Sequence, residues 1–259
     1  MPEGDTVWRA ARHLDQALNG QVLTATDFRV PAHATVDLSG QAVRETMPRG
    51  KHLLTRIGDH TLHTHLKMEG SWHLYRPGSR WRRPAHEARV VLHTPEWQAV
   101  GFSLGVVELI DSSAEDSVVG HLGPDLLGPD WDEDEALRRL CAEPARSIGD
   151  GLLDQRNLAG IGNLYKNEMC FVAGVNPWRP VGRVDNLRRL VRRTQLALDT
   201  NKERVEQTFT GDTRRGRRNW VYLRDRQPCR RCGTTIEVAL LGPETQERTT
   251  YWCPTCQPS

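Results

Sequence analysis

The second residue of the chain is proline, in Met1-Pro2-Glu3-Gly4-Asp5-Thr6-Val7. A methionine before a small residue is normally trimmed, and trimming would leave Pro2 with a free secondary amine. N-terminal amines are the least basic in a protein, with pKa values of about 7.7–8.0. A useful fraction is neutral at cellular pH and able to attack a carbonyl carbon. Glu3 offers a carboxyl beside it for proton transfer, and an amine that forms a Schiff base next to a carboxylic acid is a compact covalent catalyst. The same residues also suit a helix start, with proline in the first turn and an acid facing the helix dipole. The two readings are compatible, because a helix N-terminus disfavours a nearby cation and lowers the amine pKa further.

The second constellation is Cys229-x2-Cys232-x20-Cys253-x2-Cys256. Two such knuckles joined by a short hairpin can close a tetrahedral thiolate site around one zinc ion, and four ligands leave no open position, so the ion is structural. Six cysteines in a chain of cytosolic character argue for metal rather than disulfides. The remaining two, Cys141 and Cys170, have apolar neighbours and are expected as core thiols.

Net charge is 35 − 33 = +2, which says little; its distribution says more. Between Asp212 and Cys232 stand Arg214, Arg215, Arg217, Arg218, Arg224, Arg226, Arg230 and Arg231 against two aspartates. A charge run is usually a solvated face. With Trp220 and Tyr222 interleaved and a metal motif following, it points to nucleic acid, whose phosphates suit the arginine fork.

These groups need elements to hold them. Val7, Ala10, Ala11, Leu14, Ala17 and Leu18 have helical spacing and predict a helix from about Pro2 to Leu18, ended by Asn19-Gly20. From about Gln21 to Ile110 the chain reads as short strands, including 52–57, 61–66, 88–93 and 105–110, which together suggest an antiparallel sandwich. The basic, aromatic stretch 78–84 reads as a loop. The punctuated run 121–130 reads as a linker. Beyond it the pattern turns helical, with an acidic start at Asp132 for one helix ending at Cys141, and a second over Leu187 to Leu198. Between them, Gly160-Ile161-Gly162-Asn163 predicts a turn that exposes backbone N–H groups at a helix start, where phosphate binds readily; the plain alternative is a helix-to-helix turn. No apolar run approaches the roughly 20 residues of a membrane span, and Trp8, Arg9 and Arg12 interrupt any secretory pattern. The expectation is a soluble, cytoplasmic protein.

Taken together, these pieces resemble the formamidopyrimidine-DNA glycosylase and endonuclease VIII family. The matching residues are Pro2-Glu3-Gly4, Arg49-Gly50-Lys51, Leu122-Gly123-Pro124-Asp125, Leu153-Asp154-Gln155 with Ala159-Gly160-Ile161-Gly162-Asn163, and Arg248 through Cys256. They follow the family order over nearly the whole chain. The resemblance implies an α+β fold: an N-terminal antiparallel β-sandwich with an N-terminal helix (1–120), a helix–two-turn–helix domain (121–220) and a C-terminal zinc finger hairpin (221–259). It implies a bifunctional DNA glycosylase and abasic-site lyase of base excision repair, a monomer acting on damaged DNA in a bacterial nucleoid without a diffusible cofactor. Pro2 resembles the nucleophile and Glu3 the acid that helps open the sugar. Lys51 resembles the lysine near the scissile phosphate, and Arg248 the finger arginine that binds phosphate and aids the second elimination. Asn163 resembles a phosphate-gripping asparagine. Lys67-Met68-Glu69-Gly70 resembles the void-filling loop, with Met68 as wedge; on residue type alone, Met68 is equally a core methionine. His121 stands where the family often has arginine before Gly-Pro-Asp.

The start and end look more like the endonuclease VIII branch, which removes oxidised pyrimidines, and the arginine-rich loop of the other branch is replaced by Gly101-Phe102-Ser103-Leu104-Gly105. His60, His63 and His65 read as strand-face histidines lining the DNA cleft, with no carboxylate or cysteine fixed nearby to make them a metal site. The rival function is a non-catalytic zinc-finger protein binding DNA or RNA on the same scaffold; the joint survival of Pro2, Glu3, Lys51 and Arg248 favours the enzyme.

Overall fold

The computed structural model describes residues 2–259. Its contacts divide it into two compact units, one ending at His121 and one spanning Leu122–Ser259.

The first unit holds α1 (Gly4–Leu18), β1 (Ala25–Phe28), β2 (Val43–Arg49), β3 (His52–Ile57), β4 (His60–His65), β5 (Ser71–Tyr75), β6 (Ala88–His93), β7 (Gln98–Phe102), β8 (Val106–Asp111) and α2 (Asp116–Val119). The strands form two four-stranded sheets, β1-β6-β7-β5 and β2-β3-β4-β8, with every pairing antiparallel. Val7, Ala11, Leu14 and Leu18 of α1 join Leu53, Ile57, Leu62, Val90 and Leu92 in one core drawn from both sheets. The helix begins later than the sequence predicts: Glu3 is its N-cap, with extended φ and ψ, and Pro2 stands before the cap. It ends as expected at Asn19 and Gly20, the latter at φ +76°.

Side chains alternate across a strand. Leu53 and Ile57 of β3 and Leu62 of β4 point into the core. The register therefore puts His52, Leu54 and Arg56, with His65, His63 and Thr61, on the opposite face of that sheet. Pairing of β4 with β8 adds Val106 and Glu108 to the same face.

The second unit holds α3 (Glu133–Cys141), α4 (Ile148–Leu153), α5 (Asn163–Ala173), α6 (Leu187–Asn201), β9 (Glu237–Leu241) and β10 (Arg248–Trp252). Short polar side chains cap three of its helices: Asp132, Ser147 and Asn186 accept from Glu135, Asp150 and Arg189 backbone N–H groups. Gln155 stitches the turns between α4 and α5. Its amide donates to Leu153 and Ile161 carbonyls, and its oxygen accepts from Gly160 N–H.

Two sequence expectations are corrected by this unit. The run 121–130 is no loose linker past His121: Leu122, Asp125 and Leu126 are buried. Gly123 N–H donates to Gln155 O and Ala159 N–H to Pro124 O, which folds the segment against the α4–α5 turns. Cys141 is exposed while Cys170 is buried. Ala136 and Leu140 face the core from α3, and Cys141 lies one residue, about 100° of helix, further round.

Candidate active site and nucleic-acid interface

Helix α1 is pinned to β2 at two points. Gly20 N–H donates to Val43 O, and Thr46 N–H donates to the Asp15 carboxylate at 2.8 Å. Helix and strand therefore run in opposite directions. From Asp15 back to Glu3 the helix rises about 18 Å, and from Thr46 on to Lys51 the strand rises about 17 Å. Pro2 and Glu3 thus reach the same end of the sandwich as the β2–β3 turn. Glu3 is fully buried and Pro2 is half-buried.

That turn is two residues long, since Arg49 pairs with His52. Gly50 leads it at φ +57°, a conformation that suits glycine at the first position of a tight hairpin. Lys51 follows, half-buried. His52 pairs with His65, so the connection 66–70 after β4, with Lys67 and Met68, leaves from the same end. Met68 is 65% exposed, which excludes the core reading. Among sequence-predicted residues, Pro2, Glu3, Lys51, Lys67 and Met68 converge here.

The histidines form a more connected group than the sequence suggests. His63, buried on the non-core face, has Nδ1 2.8 Å from a Glu108 carboxylate oxygen and Nε2 2.8 Å from His52 Nδ1. The carboxylate accepts the His63 Nδ1 proton, and His63 Nε2 and His52 Nδ1 share one proton between them. His52 stacks on His63 and meets His65 and His121 edge-on, with His121 at 6.2 Å between ring centroids. Burial, then the neighbouring histidines and Lys67, push His52 down to about 3. Burial, then Lys67 and Lys51, push His65 down to about 4. Both rings are neutral near pH 7. The expectation that no carboxylate stands near these histidines is overturned by Glu108, which the β4–β8 register sets directly opposite His63. His60 lies on the other strand face, opposite Ile57, and is not part of this group. Pairing from β8 could not be read from the local pattern of β4.

In the second unit, α5 lies along β10. Asn163 donates to Thr249 O at 2.9 Å, Lys166 Nζ to Thr250 Oγ1 at 2.5 Å, and Asn167 accepts from Tyr251 N–H at 2.6 Å. Asn163 is thereby set beside the strand that begins with Arg248. Arg248 is exposed and donates to its neighbour's carbonyl, Glu247 O, at 3.4 Å. The α5 start does not lie open as the glycine pattern suggests: residues 160–163 are buried, Ile161 in the helical core and Asn163 against β10. Lys166, Asn167 and Glu168 follow the glycine motif within a turn or two of helix, yet nothing in their types announces a clasp. Glu168, fully buried, accepts from the N–H groups of Trp220, Val221 and Tyr222. Burial pushes its carboxyl up to about 7 against these donors.

Those contacts also sort the arginine run. Arg224 is buried and donates to Trp220 and Pro228 carbonyls, so it is structural and not a phosphate ligand. Arg230 ties to Asn219 and Gly216 carbonyls, Arg214 to Asp212, and Arg231 covers Phe171. Trp220 and Tyr222, each partly buried, pack against the cluster of Phe171, Val221 and Tyr251, so the interleaved aromatics help to cover the core of this lobe.

The four cysteine sulfurs lie within 4.8 Å of one another, with Cys232–Cys253 at 3.4 Å and Cys229–Cys256 at 3.9 Å. Four thiolates about 2.3 Å from a tetrahedral zinc sit about 3.8 Å apart. The set fits a metal ion of that kind, and among the described residues it is the one such group.

The geometry agrees with likeness to known proteins. Residues 1–103 match the formamidopyrimidine-DNA glycosylase N-terminal domain, and residues 122–208 match the formamidopyrimidine-DNA glycosylase H2TH domain. A probable endonuclease 8 2 of Streptomyces coelicolor is 54% identical over 99% of this chain and 94% of its own length. The DNA-(apurinic or apyrimidinic site) lyase Nei2 of Mycolicibacterium smegmatis is 49% identical over 99% of both chains. A solved structure of MutM in complex with DNA containing carbocyclic 8-oxo-G superposes over the full length of both chains with a TM-score of 0.81 at 23% identity, which carries the fold. No helix among the described residues is long and apolar enough to cross a membrane. With both units matched and near-full-length relatives at about half identity, the chain belongs to the formamidopyrimidine-DNA glycosylase and endonuclease 8 family.

Proposed function

We propose that the protein is a bifunctional DNA glycosylase and abasic-site lyase of base excision repair that removes oxidised pyrimidines and acts as a cytoplasmic monomer. The observation that carries this reading is the convergence of Pro2, the buried Glu3 and Lys51 at one end of the sandwich. A base inside a duplex must first be flipped out of the stack. Once Met1 is removed, the Pro2 nitrogen attacks the sugar C1′, the glycosidic bond breaks, and the base leaves with that electron pair and takes up a proton. Glu3 protonates the ring oxygen as the C1′–O bond opens, giving an iminium on Pro2. The iminium acidifies the C2′–H. Loss of that proton expels the 3′ phosphate, and a second elimination expels the 5′ phosphate. Lys51, at the turn, neutralises phosphate charge as it departs.

In the second unit, Asn163 and Arg248 grip backbone phosphate, with Lys67, Met68 and His121 contacting DNA from the first. Cys229, Cys232, Cys253 and Cys256 hold one zinc ion, which is saturated by thiolates and fixes the hairpin 221–259 without taking part in the reaction. The reading favours an enzyme over a binding-only scaffold because a binder has no use for an acid buried beside the N-terminal proline. Borohydride reduction on an abasic-site duplex should trap one enzyme–DNA adduct, and peptide mapping should place it on Pro2. An adduct mapped to a lysine overturns the assignment.

A further inference from the structure

Met68 is a large apolar side chain held out in water on a turn that is fixed from every side. Lys67 takes a left-handed backbone, φ +53°, and its N–H donates to His65 Nδ1 at 2.9 Å. Gly70 N–H closes the turn on Leu66 O at 2.9 Å. Gly105 lies directly under the Lys67 stem, where a Cβ would collide with it, and Gly105 N–H donates to His65 O at 3.0 Å. A left-handed non-glycine residue costs energy that neighbouring contacts must offset.

A side chain from beyond β5 also reaches the turn. Arg83, in the loop after β5, donates through Nη1 to Glu69 O at 3.1 Å and to Ser71 Oγ at 2.8 Å. Its Nη2 donates to Ser103 Oγ at 2.9 Å, where Ser103 also has a left-handed backbone, φ +46°. Glu87 holds the guanidinium in place through Nε at 2.7 Å, and the ring of Phe102 lies under it at 5.4 Å. The fork thus ties the Met68 turn, the start of β5 and the end of β7 into one rigid piece. Such a fork is specific to arginine, because lysine offers a single point charge.

We propose that Arg83 is a positioning residue for Met68: it pre-organises the turn so that the methionine enters the gap left in a duplex by an extruded nucleotide. This rests on the wedge reading of Met68. A flexible turn would have to be ordered at each insertion, and that ordering cost would appear as a slower reaction on duplex DNA. Single-stranded DNA has no opposite strand and no gap to fill, so Arg83 is not needed there.

The test compares single-turnover strand cleavage on one oligonucleotide carrying an abasic site, as duplex and as single strand, for wild type, Arg83→Ala, Arg83→Lys, Met68→Ala and the Arg83→Ala/Met68→Ala pair. Arg83→Ala should slow duplex cleavage about tenfold and leave single-strand cleavage and borohydride trapping at wild-type levels. Arg83→Lys, which keeps the charge beside Glu87 and so guards against simple misfolding, should lose most of the same factor. In the Met68→Ala background, Arg83→Ala should add nothing. Equal slowing on both substrates, a fully additive double mutant, or a wild-type duplex rate for Arg83→Lys overturns the role of Arg83. A Met68→Ala protein with the wild-type duplex rate overturns the wedge reading and this assignment with it, while Pro2 trapping would still stand.

Discussion

Replacing Asn167 by alanine should loosen the strand that carries Arg248 and release the hydrogen bond that Asn167 gives to Asn163. Asn167 is fully buried. Its oxygen takes Tyr251 N–H at 2.6 Å, and its amide donates to Asn163 O at 2.6 Å. Alanine leaves the Tyr251 N–H without that acceptor in a buried place, a cost of about 1–3 kcal/mol, and forfeits a second hydrogen bond worth about 1 kcal/mol. The total is about 2–4 kcal/mol, within the range of broken buried networks. For a unit of this size each kcal/mol moves the midpoint by roughly 3–5 °C, so the second unit should melt about 6–20 °C lower. Calorimetry reads that shift, and amide exchange at Tyr251 locates it. Amides of β3 and β4, in the other unit, should exchange as in the wild type. A midpoint within about 2 °C of wild type, with unchanged exchange at Tyr251, would refute the clasp.

The other expectations follow from the same contacts. Cys253→Ser should abolish stoichiometric zinc and weaken DNA binding while the sandwich stays folded; unchanged zinc content by elemental analysis counts against the four-thiolate site. Arg248→Ala should lower affinity for all duplexes by a similar factor and make the log–log salt slope shallower by about 0.9 for each phosphate that is no longer neutralised; weakening confined to some sequences would mean that Arg248 reads bases. His52 and His65 sit below the ordinary histidine value, so the stability they contribute is present above about pH 6.5 and is lost as pH falls through about 4 and 3. Glu168 sits above its ordinary value, so its contribution is present below about pH 4.5 and is lost as pH rises through about 7. Chemical denaturation across pH 4–8 should therefore show His52→Asn flattening the rise of stability with pH and Glu168→Gln steepening it; the opposite slopes would refute these protonation states.

What the sequence made legible was local. The helix of α1 and the strands β3 and β6 follow from a few residues of periodic burial; the bounds of both strands and the end of the helix fall where that pattern places them, while the helix starts at Gly4, two residues late. The Cys-x-x-Cys pairs were legible because a tetrahedral ion imposes its own spacing. Strands β2 and β7 were harder. β2 carries Pro48 and three charged residues, and β7 contains Gly101; β2 becomes an edge strand through its ladder to β3, and β7 a central strand between β6 and β5. The aromatic and arginine run misled for the converse reason. Trp220, Tyr222 and Arg224 look like a surface that faces phosphate and bases, but a small lobe built around four cysteines has little apolar material and fills its core with whatever aromatics and arginine stems the hairpin brings.

The groups that sequence reasoning passed over share a physical signature: each acts through a partner far along the chain. Glu108 is 45 residues from His63, Asn167 is 84 from Tyr251, and Arg83 is 20 from Ser103. Spacing rules describe one helix or one hairpin, and such pairs obey neither. The reactive residues are the easier half to see, because a nucleophilic amine or a thiolate cage advertises its chemistry by type. The residues that make these long-range contacts are ordinary arginines, asparagines and glutamates. Their importance is set by the burial of what they touch: a backbone N–H at Tyr251, a carbonyl at Glu69, an imidazole nitrogen at His63. Under the proposed reading, Arg83 is the member of that second set that would keep Met68 in position when an altered nucleotide is met.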